Sequence, residues 1–283
     1  MNRRGFALLT VLWALVALAT LAGASASLAR RGTSVTRNRV LLARAGWARE
    51  ACGEILSARF AADRTVRAVD TIELGRGTWC CAVVSDPAAA VNVNLADAEL
   101  LRRLLGDSLA DPLLDWRDAD TVPRPLGAES EWYAKRGRTL PRDGLLADVA
   151  ELRLVRGFEL VPARVLEGLT TRGTGRLDPS LVPAAVLAAL PGIDAEARET
   201  LVARRSAGRP VLSLDDLISS VSPSSRRPML AAYRDLAQLF AFAPAQLVAR
   251  VEGGVRGTPL ISAAILTLVP VEGRLALIAR ETE

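Results

Sequence analysis

The sequence predicts an α+β fold: a long N-terminal helix, an antiparallel sheet drawn from both ends of the remaining chain, and a large inserted α-helical domain. Three observations carry this. An apolar run from Phe6 to Ala29 holds no charged residue. Helical spacing continues beyond it, with Leu41, Ala45, Ala48, Cys52 and Ile55 at three- and four-residue steps, so one stripe extends toward Phe60. Beyond that stripe, β-prone segments stand on either side of a block, residues 95–242, whose patterning is helical.

The apolar run is longer than the roughly 20 residues a helix needs to cross a bilayer core. It follows a five-residue basic head containing Arg3 and Arg4. Residues 70–74 and 78–85 are short and β-prone, separated by Gly75-Arg76-Gly77, which predicts a hairpin. Asp86-Pro87 breaks it. The segments ELLRRLL, LLADVAELRLV, AAVLAAL, EARETLVARR, LDDLIS and MLAAYRDLAQLF then read as helices joined by Pro/Gly loops. Strand character returns at 246–252, 260–269 and 274–280. The expected division is a head at 1–5, a membrane segment at 6–29, helix and first strands at 30–86, the inserted helical domain at 87–242, and closing strands at 243–283.

Half of the 283 residues are hydrophobic, enough for a substantial core beyond the membrane run. The net charge of +5 is unevenly placed. Residues 1–50 hold eight of the 36 basic residues and one of the 31 acidic ones, leaving 28 against 30 in the rest. The folded body is therefore slightly acidic, and no nucleic-acid footprint is expected over it. Three cysteines (Cys52, Cys80, Cys81) are too few for a disulfide framework. In an oxidising compartment Cys52 could bridge to Cys80 or Cys81; buried free thiols are the other reading. With no histidine in the chain, the commonest general base and transition-metal ligand are absent.

The N-terminal stretch is open to two plain readings, a secretory signal peptide with a small-residue site near Ala24-Ser25-Ala26 and a simple anchor. The abrupt start of the run at Phe6, after Arg3-Arg4-Gly5, and its continuation into a longer amphipathic helix point elsewhere. The stretch resembles the class III leader of type IV pilins and pseudopilins. The resemblance implies cleavage between Gly5 and Phe6, N-methylation at Phe6, and a pilin-like fold whose long helix packs into a filament core. Most of that family carries glutamate at the fifth mature position; here it is Thr10. A carboxylate in lipid is costly unless paired, so a subunit with none stacked above it gains nothing from keeping one. The resemblance therefore implies that Thr10 is the mark of a filament-tip subunit, and points to the K family of minor pseudopilins of the type II (general) secretion pathway. The stretch LLDWRDADTVPRPLGAESEWYAKRG and the lead-in VNVNLADAELL are similar to that family's central signature. What this implies is a non-enzymatic structural role in export across the outer membrane. It also implies a single-pass inner-membrane location with the body in the periplasm, and minor pseudopilins I and J, with other pseudopilins, as partners.

Asp115, Asp118, Asp120 and Glu129 are the candidate site. Carboxylates so closely spaced repel one another unless solvated, paired with Arg117 and Arg124, or neutralised by a cation. An all-oxygen set suits calcium better than zinc, although the order of an EF-hand loop is missing. Family members hold calcium in the helical domain, and the resemblance extends that expectation to these four residues. Leu190-Pro191-Gly192-Ile193-Asp194, between two helical segments, resembles a helix-hairpin-helix, whose amides can hold a DNA phosphate. Asp194, Glu196 and Glu199 would oppose that phosphate, so structural use is favoured. The rival readings are a membrane-anchored DNA-uptake protein using this hairpin and a secreted hydrolase using the four carboxylates.

Overall fold

The computed structural model describes residues 3–63 and 68–282, with side chains described at 11–28, 31–63 and 69–282. The chain divides into two compact units. The first joins Met1–Val83 to Arg250–Ile265 and Glu281–Glu283; the second joins Val84–Ala249 to Leu266–Arg280.

The first unit is built on α1 (Arg3–Ala62), 60 residues long, or about 90 Å at the standard rise per residue. Every residue from 11 to 28 is exposed, including Leu12, Trp13, Leu18 and Leu21. A helix apolar on all sides and uncovered by protein is what a bilayer-spanning segment requires, and α1 is long and apolar enough to be one. Farther along, one side is buried: Ala45, Ala48, Cys52, Leu56 and Phe60. This is the predicted stripe with one correction. Leu56 is buried and Ile55 only half-buried, because at 3.6 residues per turn a step of four from Cys52 turns about 40° off its direction and a step of three about 60°.

β1 (Ala68–Gly75) and β2 (Thr78–Ser85) form the expected hairpin, with Gly75 opposite Thr78. Its two loop residues, Arg76 and Gly77, have φ of 51° and 71°, the positive pair of a type I′ turn whose twist matches the strands. Gly253, in the strand Leu247–Val255, lies directly under α1. A Cβ built there would stand 2.4 Å from the Ala45 carbonyl oxygen and from the Arg49 nitrogen. Only glycine lets the two backbones meet so closely.

In the second unit, β3 (Val91–Asn92) and β4 (Leu169–Thr170) form a short parallel ladder. The α-helices are α2 (Ala98–Leu105), α3 (Asp107–Arg117), α4 (Ser130–Ala134), α5 (Ala163–Leu166), α6 (Ala184–Ala189), α7 (Ala195–Ser206), α8 (Leu214–Ser219), α9 (Pro223–Ala231) and α10 (Tyr233–Leu239). Asp97, Asp194 and Ser213 cap α2, α7 and α8 by accepting from the backbone N–H of Leu100, Ala197 and Asp216. Their apolar faces meet in one core around Leu101, Leu113, Trp116, Tyr133, Phe158, Leu187, Leu217 and Phe240.

Two local expectations are corrected. LLADVAELRLV is not an α-helix; only Val149–Leu154 coils, as a 3-10 turn capped by Asp148. MLAAYRDLAQLF is split at Ala232 between α9 and α10. Residues 107–117, not among the named helical segments, form α3 despite Pro112 within it. The strands β5 (Leu247–Val255), β6 (Ile261–Val271) and β7 (Arg274–Thr282) follow, and the sheet order is β1-β2-β5-β6-β7.

Candidate metal centre

The four predicted carboxylates do not share one role. Asp115 belongs to the last turn of α3 and is fully buried. Arg124 holds it: Nη1 donates to Asp115 Oδ1 at 2.6 Å, and the Arg124 backbone nitrogen lies 3.3 and 3.2 Å from the two carboxylate oxygens. Gly127 makes room for this contact, since a Cβ there would stand 1.8 Å from Asp115 Oδ2. Of the two arginines weighed as partners, Arg124 therefore pairs with Asp115 and Asp118. Arg117 does not; its guanidinium donates to the carbonyls of Val93 and Ala96 and ties α3 to the stretch before α2.

Asp118, Asp120 and Glu129 converge. Asp118 terminates α3 in extended conformation, which turns its side chain away from the helix. Asp120 Oδ1 accepts from the Val122 backbone N–H at 2.8 Å, closing a tight turn. Glu129 precedes α4 but does not cap it with its side chain. One oxygen from each of the three can be chosen so that all lie within 4.8 Å of one another. Asp118 Oδ2 is engaged by Arg124 at 2.6 Å. Asp118 Oδ1 and both Glu129 oxygens are buried with no hydrogen-bond partner.

A carboxylate that is 6% exposed and unpartnered on both oxygens is costly. Burial, followed by the charges of Asp115, Asp118, Asp143 and Asp120, pushes the Glu129 carboxyl up to about 7. Asp143 was not anticipated from sequence. It sits 14 residues from Glu129 in the chain, and its φ of 52° is the only signal of a special position. The surrounding aromatics hold the loop in place. Trp116 and Trp132 both meet Tyr133 edge-on, at 5.3 and 5.0 Å, and Tyr133 Oη accepts from the Arg156 backbone nitrogen at 2.9 Å. Arg156 also donates to the Gly127 carbonyl at 2.8 Å. Hard oxygen donors, no nitrogen or sulfur, and orphaned negative charge fit a calcium-like cation.

The other predicted positions fall outside this cluster. The backbone of Gly5, Phe6 and Thr10 belongs to α1, and their side chains lie outside the described residues. The hairpin at 190–194 is turned inward. Gly192 has φ +71°, and a Cβ there would stand 2.6 Å from the Pro228 carbonyl oxygen, so α9 covers the turn. Asp194 Oδ2 accepts from the Ser225 hydroxyl at 2.6 Å, and Glu196 accepts from the backbone and hydroxyl of Ser222 at 2.7 and 2.6 Å. These bonds hold the Glu196 carboxyl below the usual range. Two of the acids that would repel a phosphate, Asp194 and Glu196, are the ones that fasten α7 to α9.

A long helix exposed over its apolar first half, a sheet packed against its second half, and a large helical insertion define a pilin-like fold with an added α-helical domain. Residues 84–171 match the family model described as Type II secretion system (T2SS), protein K. Over that stretch the chain is similar to protein K of that system. Its fold is similar to a chain in the crystal structure of the GspK-GspI-GspJ complex from the enterotoxigenic Escherichia coli type 2 secretion system. The two share 16% identity, with 89% of this chain and 99% of that one covered and a TM-score of 0.65. Among curated proteins, none matches the sequence.

Proposed function

We propose that this chain is the tip subunit of a type II secretion pseudopilus, anchored in the inner membrane by residues 6–29 with its folded body in the periplasm. The carrying observation is the protein K match over residues 84–171, on a chain that begins with a 60-residue helix. Processing between Gly5 and Phe6, with N-methylation of Phe6, frees that helix for assembly. Minor pseudopilins I and J are its partners. Beyond the membrane run, Val35, Val40, Leu42 and Trp47 remain exposed on α1, apolar surface that a neighbouring helix would cover. The role is structural and not catalytic; the acidic cluster serves stability.

In that role Asp118, Asp120 and Glu129 hold a calcium ion, with Asp115 and Arg124 setting the position of Asp118. The ion supplies positive charge to buried carboxylate oxygens that otherwise lack a partner. Two measurements test the reading. Mass spectrometry of the mature N-terminus should find N-methyl-Phe6; a start near Ser27 would make the segment a cleaved signal and overturn the assignment. Thermal unfolding in detergent should show calcium raising Tm over EDTA, and Asp118→Ala should lose that difference. Equal Tm values for the wild-type protein with calcium and with EDTA would remove the metal from the account.

A further inference from the structure

Unit one contains a pair of sulfur atoms that the secretion role does not use. Cys52 lies on the buried stripe of α1 between Ala48 and Leu56, and Cys80 lies on β2; both are 0% exposed. Their thiols are within hydrogen-bonding reach of each other. Strand alternation decides between the two neighbouring cysteines of β2. Cys80 and Ala82 face the buried side, whereas Cys81 points to the opposite face and is half-buried, where the charges of Glu252 and Arg250 act on it. Two cysteines meeting across a helix and a strand, inside a buried apolar layer, are placed as a cross-link.

We propose that Cys52 and Cys80 form a disulfide in the mature protein, fastening α1 to β2, and that Cys81 remains a free thiol. The bond needs an oxidant, and its class is a protein dithiol–disulfide oxidase of an oxidising compartment; the inference rests on the periplasmic placement in this respect. One cysteine thiolate attacks a sulfur of the oxidase disulfide, forming a mixed disulfide and releasing the oxidase's other thiolate. The second cysteine, as thiolate, attacks the protein sulfur of that mixed disulfide. The Cys52–Cys80 bond forms and the oxidase leaves as the dithiol, carrying away two electrons; the two thiol protons pass to solvent or to the departing thiolates. In the closed fold, burial and the neighbouring Cys80 thiol push the Cys52 thiol up, so exchange takes place before the helix settles on the strand.

The test is thiol counting on the full chain, isolated from membranes after trapping with an alkylating agent, denatured, and mapped by peptide mass spectrometry without reductant. The expected result is one alkylated cysteine, Cys81, and a Cys52–Cys80 linked peptide, with all three alkylated after reduction. A second arm takes the reduced, denatured chain through refolding in detergent with oxidised glutathione, where the same linked peptide is expected. A Cys80→Ser variant should then show free Cys52 in both arms. Three free thiols in both arms, or a bond to Cys81, overturns the pairing. The Cys52–Cys80 bond in the refolded arm but three free thiols from membranes overturns the bond in the cell and counts against an oxidising location, while leaving the contact geometry standing.

Discussion

At the scale of single residues, Glu129 carries the most consequence. Its carboxyl is raised from an ordinary value near 4.5 to about 7, by burial and by surrounding aspartates. In ion-free protein the folded state therefore holds a proton that the unfolded chain has released. That contribution is fully present below about pH 4.5 and is lost as pH rises through about 7. In EDTA, Tm should fall across this window, and Glu129→Gln should flatten the fall; with calcium bound the ionised form is favoured and the slope should shrink or reverse. A Tm in EDTA that stays level from pH 5 to pH 8 in the wild-type protein would show that Glu129 does not carry this charge. Much of this site was legible in the sequence. Carboxylates crowded at 115–129 announce unusual electrostatics whatever the fold. The division of labour was not legible. That Arg124 takes Asp115 depends on a glycine at 127 leaving space, and that Asp143 approaches Glu129 depends on how the chain folds between them. Neither leaves a periodic trace.

At the scale of elements, the helices that were legible are those where local and tertiary signals agree. In α2, α7 and α8 an aspartate or serine cap precedes a run whose leucines share one face. α3 was hidden by Pro112 and by its acidic end, both of which resemble loop chemistry. The parallel ladder of β3 and β4 joins residues 91 and 169, and no local pattern foretells a two-residue pairing across that separation. The inward hairpin yields a sharp expectation. Gly192→Ala places a Cβ against the Pro228 carbonyl and demands a left-handed backbone from alanine. It should cost about 1–3 kcal/mol of stability, seen as a lower urea midpoint. A gel shift with duplex DNA should show no salt-dependent binding for either wild type or variant; tight binding that weakens steeply with salt would revive the DNA reading.

At the scale of the whole molecule, charge and apolarity are segregated along the sequence. The first 50 residues carry the excess of arginine and the rest is nearly balanced, so the basic character belongs to the apolar run and its flanks and not to the body. The exposed apolar residues of α1 extend past the membrane run to Trp47, which is 72% exposed. Trp47→Ala should change stability by no more than about 0.5 kcal/mol, as for surface changes generally, yet reduce co-purification with minor pseudopilins I and J. Unchanged recovery of both partners would place their contact elsewhere.

The meeting of Gly253 with the backbone of α1 has a mechanical side. Most helices rest on sheets through a cushion of side chains that can repack under load. Here peptide unit abuts peptide unit at Ala45 and Arg49, so at this one point no side chain lies between helix and strand. A displacement of α1 along its axis would therefore be passed to the sheet directly at this point.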